Sequence, residues 1–153
     1  MFTRVKLGWS DISNDINELA DNIGSCDAIV AIGRGGLVPG TILSYILDCD
    51  LVNFGIKSYN KENIQEDSSI TQIPGLKFNH EFRDKRVIVF DDLSDKGTTL
   101  HQAKDYFELS QFTNYKFATL YIKKSTKFVP NYYLKEFDDN LWLDFPWETI
   151  KIV

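Results

Sequence analysis

The chain has 153 residues, of which 43% are hydrophobic, with a formal net charge of −5 and an isoelectric point near 5.0. That length suits one globular domain with its own core, and the acidic balance argues against a nucleic-acid-binding protein, which needs a broad basic face. No apolar run approaches the roughly 18 residues of a membrane span, and no signal-peptide core is found near the start. We therefore expect a cytoplasmic protein without an integral membrane segment. In that setting the two cysteines, Cys26 and Cys49, are expected to be reduced and buried.

The first predicted elements are a helix and a strand. Ser10 is expected to cap a helix that ends at Gly24. Its apolar residues recur at helical spacing and are Ile12, Ile16, Leu19, Ala20 and Ile23. Residues 27–32 are uniformly apolar after the first and predict a buried strand.

A glycine-rich turn, Gly33-Arg34-Gly35-Gly36, follows that strand and leads into a helix predicted to run to about Leu47. The glycines allow unusual dihedral angles and close approach of the backbone to a ligand, and Arg34 adds a positive charge. The turn lacks the spacing of a dinucleotide fingerprint and the Gly-Lys-Ser/Thr of a Walker A loop. From the residues alone, an anion-binding turn and a plain turn with a surface arginine both remain open.

Residues 51–56 predict a second strand, and a long polar segment follows it. Because unstructured connections beyond about 12–15 residues are uncommon in compact domains, residues 57–77 are interpreted either as a solvated surface excursion or as a lid that excludes water from a reactive site.

The most informative stretch is residues 86–100. Residues 86–90 predict a buried strand, and Asp91 and Asp92 stand where it ends. A short turn then opens a helix predicted over residues 99–109, and such a helix N-terminus suits a phosphate. Two carboxylates beside that turn suit ribose hydroxyls or a divalent metal, so the stretch predicts a sugar phosphate and Mg²⁺.

The last predicted strand covers residues 116–122 and ends at Lys123, where spacing alone favours a lysine that faces solvent. The tail carries Trp142 and Trp147, and aromatic residues are more often core than ligand platforms. Strands that alternate with helices predict an α/β fold, with a mostly parallel twisted sheet flanked by helices. A receiver-like signalling domain also fits some of these features, but its acidic residues would follow different strands.

The motifs resemble those of a known family. Residues 87–100 resemble the phosphoribosyl-pyrophosphate (PRPP) signature of type I phosphoribosyltransferases, an apolar strand followed by two acids and Asp-x-Gly-x-Thr. Residues 31–40 resemble the pyrophosphate loop of bacterial xanthine-guanine phosphoribosyltransferases. The resemblance implies a single phosphoribosyltransferase domain over residues 1–153, with a lid at about 57–77 and a C-terminal hood segment at about 128–153.

The resemblance also implies an activity, the transfer of a phosphoribosyl group from PRPP to a 6-oxopurine, with Mg²⁺ as cofactor and a homodimer or homotetramer as the assembly. The implied catalytic residues are Asp91, Asp92 and Asp95, of which Asp91 and Asp92 also hold the metal or the ribose hydroxyls. The implied 5′-phosphate site is Asp95, Lys96, Gly97, Thr98 and Thr99. A non-catalytic regulator that senses PRPP or a nucleotide with the same fold is the alternative.

Three further groups of residues take roles from the resemblance. Pyrophosphate is bound by Arg34, Gly35 and Gly36, with a cis peptide bond expected at Arg34-Gly35. The base is bound by Lys123, which donates to its exocyclic oxygen, by Trp142, which stacks on it, and by the backbone of Leu143. Ser58 and Tyr59 begin the lid.

Overall fold

The computed structural model describes residues 2–58 and 68–148, which form eight strands and four helices. The strands are β1 (Thr3–Lys6), β2 (Ala28–Gly33), β3 (Asp50–Ser58), β4 (Ser68–Gln72), β5 (Val87–Ser94), β6 (Tyr115–Lys123), β7 (Lys135–Phe137) and β8 (Leu141–Asp144). The helices are α1 (Trp9–Ile23), α2 (Leu37–Leu47), α3 (Leu76–Phe82) and α4 (Thr98–Leu109).

The main sheet has the strand order β4-β3-β2-β5-β6-β7, and all of its pairs are parallel except the antiparallel pair of β3 and β4. Side chains of β2 alternate between two buried clusters. Ile29 and Ala31 pack in a cluster with α1 and α2, whereas Val30 and Ile32 pack in a cluster with α3 and α4. The predicted α/β fold, a mostly parallel sheet with helices on both faces, is confirmed.

A second, two-stranded sheet pairs β1 with β8 in parallel, and the sequence did not predict it. Arg4 pairs with Trp142 and Val5 with Leu143. The strands have only four residues each, too few for a clear periodicity, and their pairing depends on distant parts of the chain. This small sheet brings the N-terminal strand beside the aromatic tail.

Several predicted boundaries need correction. Helix α1 begins at Trp9 with Gly8 as its N-cap, and the Gly8 N–H donates to the Asp11 carboxylate at 3.1 Å, so Ser10 is not the cap. Its end at Gly24, with a φ of 81°, is confirmed. Strand β5 continues through the acidic pair to Ser94. Within residues 57–77, residues 68–72 form β4 and Leu76 begins α3.

The two cysteines lie at the opposite edge of the sheet from the predicted ligand turns, where β2 and β3 begin. Both are half-buried, not buried as expected, and their Sγ atoms are 3.5 Å apart. Their hydrogen bond raises the pKa of Cys26 and lowers the pKa of Cys49, so Cys49 is the more easily ionised of the two. Two neighbouring thiols, one of them with a lowered pKa, are arranged for disulfide formation.

We therefore expect mild oxidation to join Cys26 to Cys49 within one chain. The product should lose two hydrogen atoms by intact mass spectrometry and gain stability of about 3 kcal/mol, the typical effect of closing a loop of this length. Cys49→Ser is the matched control and should show neither change. Oxidation that leaves both thiols separately modified, without an internal link, would contradict the expectation.

No helix among residues 2–58 and 68–148 is long and apolar enough to cross a membrane.

Candidate active site

A cleft of about 740 Å³ lies at the carboxyl ends of β2, β5 and β6, the edge where open α/β sheets bind ligands. Twelve of the predicted site residues line it: Arg34, Gly35, Asp91, Asp92, Asp95, Lys96, Gly97, Thr98, Thr99, Lys123, Trp142 and Leu143. Gly36 belongs to the same turn as Arg34 and Gly35 but does not line the cleft. Ser58 is the last residue of β3, and Tyr59 lies outside the described residues, so the lid remains a prediction.

The glycine-rich turn packs directly against the acidic pair. A Cβ atom on Gly35 would lie 2.6 Å from Oδ2 of Asp92, and one on Gly36 would lie 2.8 Å from the Ile32 carbonyl oxygen. Only glycine fits these positions without movement of the neighbours. The cis peptide bond is at Gly33-Arg34. The prediction of a cis bond at Arg34-Gly35, one residue later, is therefore wrong.

Asp91 and Asp92 are adjacent residues of β5, each only 9% exposed. The Asp92 N–H donates to Asp91 Oδ1 at 2.8 Å. Burial, reinforced by the charge of Asp92, raises the pKa of Asp91 well above its usual range. Burial also raises the pKa of Asp92, to about 6. Two carboxylates held in a site of this kind favour a cation or a hydroxyl donor beside them.

The raised pKa of Asp92 predicts a pH-dependent stability. The folded state holds a proton that the unfolded chain releases near pH 3.8, so stability falls as the pH rises from about 4 through about 6. Asp92→Asn removes this cost. We expect the variant to melt several degrees above the unmodified protein at pH 7.5, by on the order of 2–3 kcal/mol, with the difference vanishing near pH 4.

Thermal unfolding followed across that pH range is the measurement. Asp105→Asn, an exposed carboxylate on α4, is the matched control and should not change the pH profile. An Asp92→Asn variant that is less stable than the unmodified protein at pH 7.5 would show that the ionised carboxylate stabilises the fold.

The turn between β5 and α4 is fixed by the segment that follows β6. Gly97 has a φ of 93°, and a Cβ atom there would lie 2.7 Å from the backbone nitrogen of Phe128. The Lys127 N–H donates to the Lys96 carbonyl oxygen at 3.0 Å, and the Ser94 hydroxyl donates to the Phe128 carbonyl oxygen at 2.8 Å. Among the described residues, no side chain caps α4, so its first turn is suited to a bound anion.

Lys123 is only 3% exposed. The prediction from spacing alone, that this lysine faces solvent, is therefore wrong. Its ammonium donates to the Leu141 carbonyl oxygen of β8 and lines the cleft. A lysine carries donors only, so a ligand that meets Lys123 in this enclosed place is expected to present an acceptor.

Trp142 is 37% exposed and lines the cleft, whereas Trp147 stacks on Phe145 with ring centroids 4.8 Å apart and packs against the core. The two tryptophans of the tail therefore differ: Trp142 lies at the cleft, and Trp147 packs against the core. Leu143, between them in the chain, is buried and pairs with Val5.

Glu148, Phe2 and Arg4 were not predicted to belong to the site. Glu148 lines the cleft. Burial raises the pKa of Glu148, and the positive charge of Arg34 partly opposes that rise. The negative charge of Glu148 contributes to the raised pKa of Asp92. Arg4 lies over the Trp142 ring at 5.8 Å and pairs with Asp144 at 2.5 Å. No sequence motif marks these residues, because only the β1–β8 pairing and the fold of the tail bring them to the site.

The acidic pair also fits Mg²⁺. Among residues 2–58 and 68–148, no group of three or more His, Cys, Asp or Glu side chains is placed to hold a metal. Mg²⁺ often uses one or two carboxylates together with substrate phosphates and water. Asp91 and Asp92, two adjacent buried carboxylates that line the cleft, match that donor set.

Comparison with known proteins agrees with this geometry. The model of the phosphoribosyl transferase domain family matches residues 8–151. A xanthine-guanine phosphoribosyltransferase of Cereibacter sphaeroides is 32% identical over 151 residues, which cover 93% of this chain and 85% of that protein. A homologous enzyme of Nitratidesulfovibrio vulgaris, with the same name, is 30% identical over 145 residues, which cover 92% and 82%.

A solved structure also matches. The crystal structure of a purine phosphoribosyltransferase from Pyrococcus horikoshii superposes with a TM-score of 0.81 and 33% identity, covering 98% of this chain and 97% of that one. The resemblance found in the sequence is thereby confirmed. The chain belongs to the phosphoribosyl transferase domain family and is a phosphoribosyltransferase.

Proposed function

We propose that this enzyme transfers the 5-phosphoribosyl group of PRPP to a 6-oxopurine (guanine, xanthine or hypoxanthine), giving a nucleoside 5′-monophosphate and pyrophosphate. The observation that carries the proposal is the convergence, in one cleft, of the turn that begins α4, a buried acidic pair, and a buried lysine together with Trp142. The names of the relatives, which are purine phosphoribosyltransferases, support the same substrate class.

The 5′-phosphate is assigned to the turn from Asp95 to Thr99. Support comes from the start of α4, which no side chain in the described part of the chain caps, and from the positive φ of Gly97 in the turn. Lys96 adds a positive charge beside the cleft. Backbone N–H groups at a helix N-terminus bind phosphate without needing a large basic surface, which is consistent with the acidic composition of the chain.

Pyrophosphate is assigned to the turn of Arg34, Gly35 and Gly36. The close packing of Gly35 on Asp92 supports this assignment, because it places the turn within reach of any metal that the acidic pair holds. Asp91 and Asp92 would hold Mg²⁺ or the ribose hydroxyls. The bound metal would offset the negative charge of the pyrophosphate.

In the proposed reaction the bond from the ribose C1 to pyrophosphate breaks, a bond from C1 to a purine nitrogen forms, and the base loses a proton. The ribose carries positive charge in the transition state, so catalysis depends on positioning and on nearby negative charge. Asp91 and Asp92 supply that charge on one side of the ribose. Asp95, which also lines the smaller cavity beside Lys123, is assigned to the proton at N7 of the base.

The test is turnover with PRPP, Mg²⁺ and each of five bases: guanine, xanthine, hypoxanthine, adenine and uracil. We expect nucleoside monophosphate and pyrophosphate in equal amounts with at least one 6-oxopurine. Binding of PRPP without release of pyrophosphate from any mixture would instead favour the non-catalytic regulator. Formation of product with uracil alone would refute the assigned base.

A further inference from the structure

A small cavity of about 170 Å³ adjoins the main cleft and shares Asp95, Lys96, Lys123 and Trp142 with it. Its remaining lining residues are Phe2, Ser125 and Asp139. Under the proposed function, Lys123 and Trp142 are base-binding residues, so the cavity is part of the space that a purine enters. Phe2 is therefore a wall of the base site that comes from the N-terminal segment.

Phe2 covers the lysine. Its ring centroid lies 6.0 Å from Lys123 Nζ and 5.6 Å from the Trp142 ring, in an edge-to-face arrangement. Phe2 is itself 58% exposed, whereas Lys123 is 3% exposed. The half-exposed Phe2 ring is thus a wall of the small cavity that Lys123 also lines. An aromatic face also attracts a nearby cation, which favours this position of the ring.

We propose that Phe2 is a specificity-determining residue, whose ring keeps water from Lys123 and thereby makes the enzyme discriminate 6-oxopurines from 6-aminopurines. This inference rests on the proposed function. A buried donor rejects a ligand that offers it another donor, because neither group then finds a partner. Where water can reach Lys123, a water oxygen accepts from the ammonium, and the free-energy cost of binding a 6-aminopurine becomes smaller.

Phe2→Ala should therefore lower the ratio of kcat/KM for guanine to kcat/KM for adenine by about 10-fold or more, the effect of one hydrogen-bonding mismatch relieved by solvent. The KM for PRPP should stay unchanged, because the Phe2 ring contacts Lys123 and Trp142, which are assigned to the base. Phe2→Leu, which keeps much of the bulk, should retain most of the ratio. Leu109→Ala, which removes an exposed apolar side chain of α4, is the control.

The experiment separates the inference from the function on which it rests. If Lys123→Ala lowers the guanine-to-adenine ratio and Phe2→Ala does not, the role of Phe2 is refuted and the proposed function stands. If Phe2→Ala raises the KM of both bases equally, Phe2 only positions Trp142, and the proposal is again refuted. Absence of turnover by the unmodified protein with every base overturns both.

Thermal unfolding of each variant shows whether it is folded. If Phe2→Ala is unfolded, Phe2→Val decides the matter, since its smaller side chain should lower the ratio below that of Phe2→Leu while the KM for PRPP stays normal. A folded Phe2→Val with the ratio of the unmodified protein would assign Phe2 to stability and refute the proposal.

Discussion

The double substitution of Asp91 and Asp92 by Asn should lower turnover by on the order of 10³-fold or more, because it removes the two carboxylates that we assign to the ribose and to Mg²⁺. The protein should remain folded. Both carboxylates are buried and their pKa values are raised, so their neutralisation is expected to raise, and not to lower, the unfolding temperature at neutral pH.

Steady-state turnover with guanine and PRPP, measured together with thermal unfolding, checks this expectation. Asp21→Asn combined with Asp105→Asn is the matched control, since it removes the same charge from exposed positions of α1 and α4. Near-normal activity in a folded Asp91→Asn/Asp92→Asn variant would refute the role of the acidic pair.

Adenine should be a very poor substrate of the unmodified enzyme, by about 10⁴–10⁵-fold relative to the best 6-oxopurine. The ammonium of Lys123 is buried and carries donors only. Facing a 6-oxo group it makes a charge-assisted hydrogen bond, whereas facing a 6-amino group it leaves two donors without acceptors. Lys123→Ala should therefore lower activity with guanine, xanthine or hypoxanthine far more than with adenine.

The measurement is kcat/KM for each base with the unmodified enzyme and with Lys123→Ala. Lys124→Ala is the control, because Lys124 follows directly in the chain but its side chain is 59% exposed and pairs with Asp138. Efficient use of adenine by the unmodified enzyme would show that Lys123 does not select the base.

The parts of this structure that could be predicted from sequence are those governed by local patterns. Apolar runs predicted β2, β5 and β6, and helical spacing predicted α1, because such patterns reflect burial on one or both sides of an element. The ligand turns after β2 and β5 could also be predicted, because glycines mark the tight backbone of each turn and two acidic residues mark the end of the apolar run in β5. Their convergence then follows from the parallel sheet, whose strand ends share one edge.

The parts that could not be predicted depend on distant contacts. The burial of Lys123 requires the Leu141 carbonyl oxygen of β8, and the contribution of Phe2 requires the pairing of β1 with β8. Strand β5 extends past its apolar run because Asp91 and Leu93 pair with Thr119 and Tyr121 of β6. The end of β5 at Ser94 is therefore set by its pairing with β6 and not by the apolar pattern of its residues.

The β1–β8 pairing also bears on how the enzyme is made. Arg4 and Asp144 are 140 positions apart, so the loop closed by their contact includes most of the chain, and its closure carries a large entropic cost. During synthesis, the acidic pair and the phosphate turn emerge from the ribosome well before Trp142. A nascent chain that ends before β8 thus contains the residues assigned to PRPP but lacks Trp142 and the Leu141 carbonyl oxygen that accepts from Lys123. The site assigned to the base is therefore completed only in the last stage of chain growth.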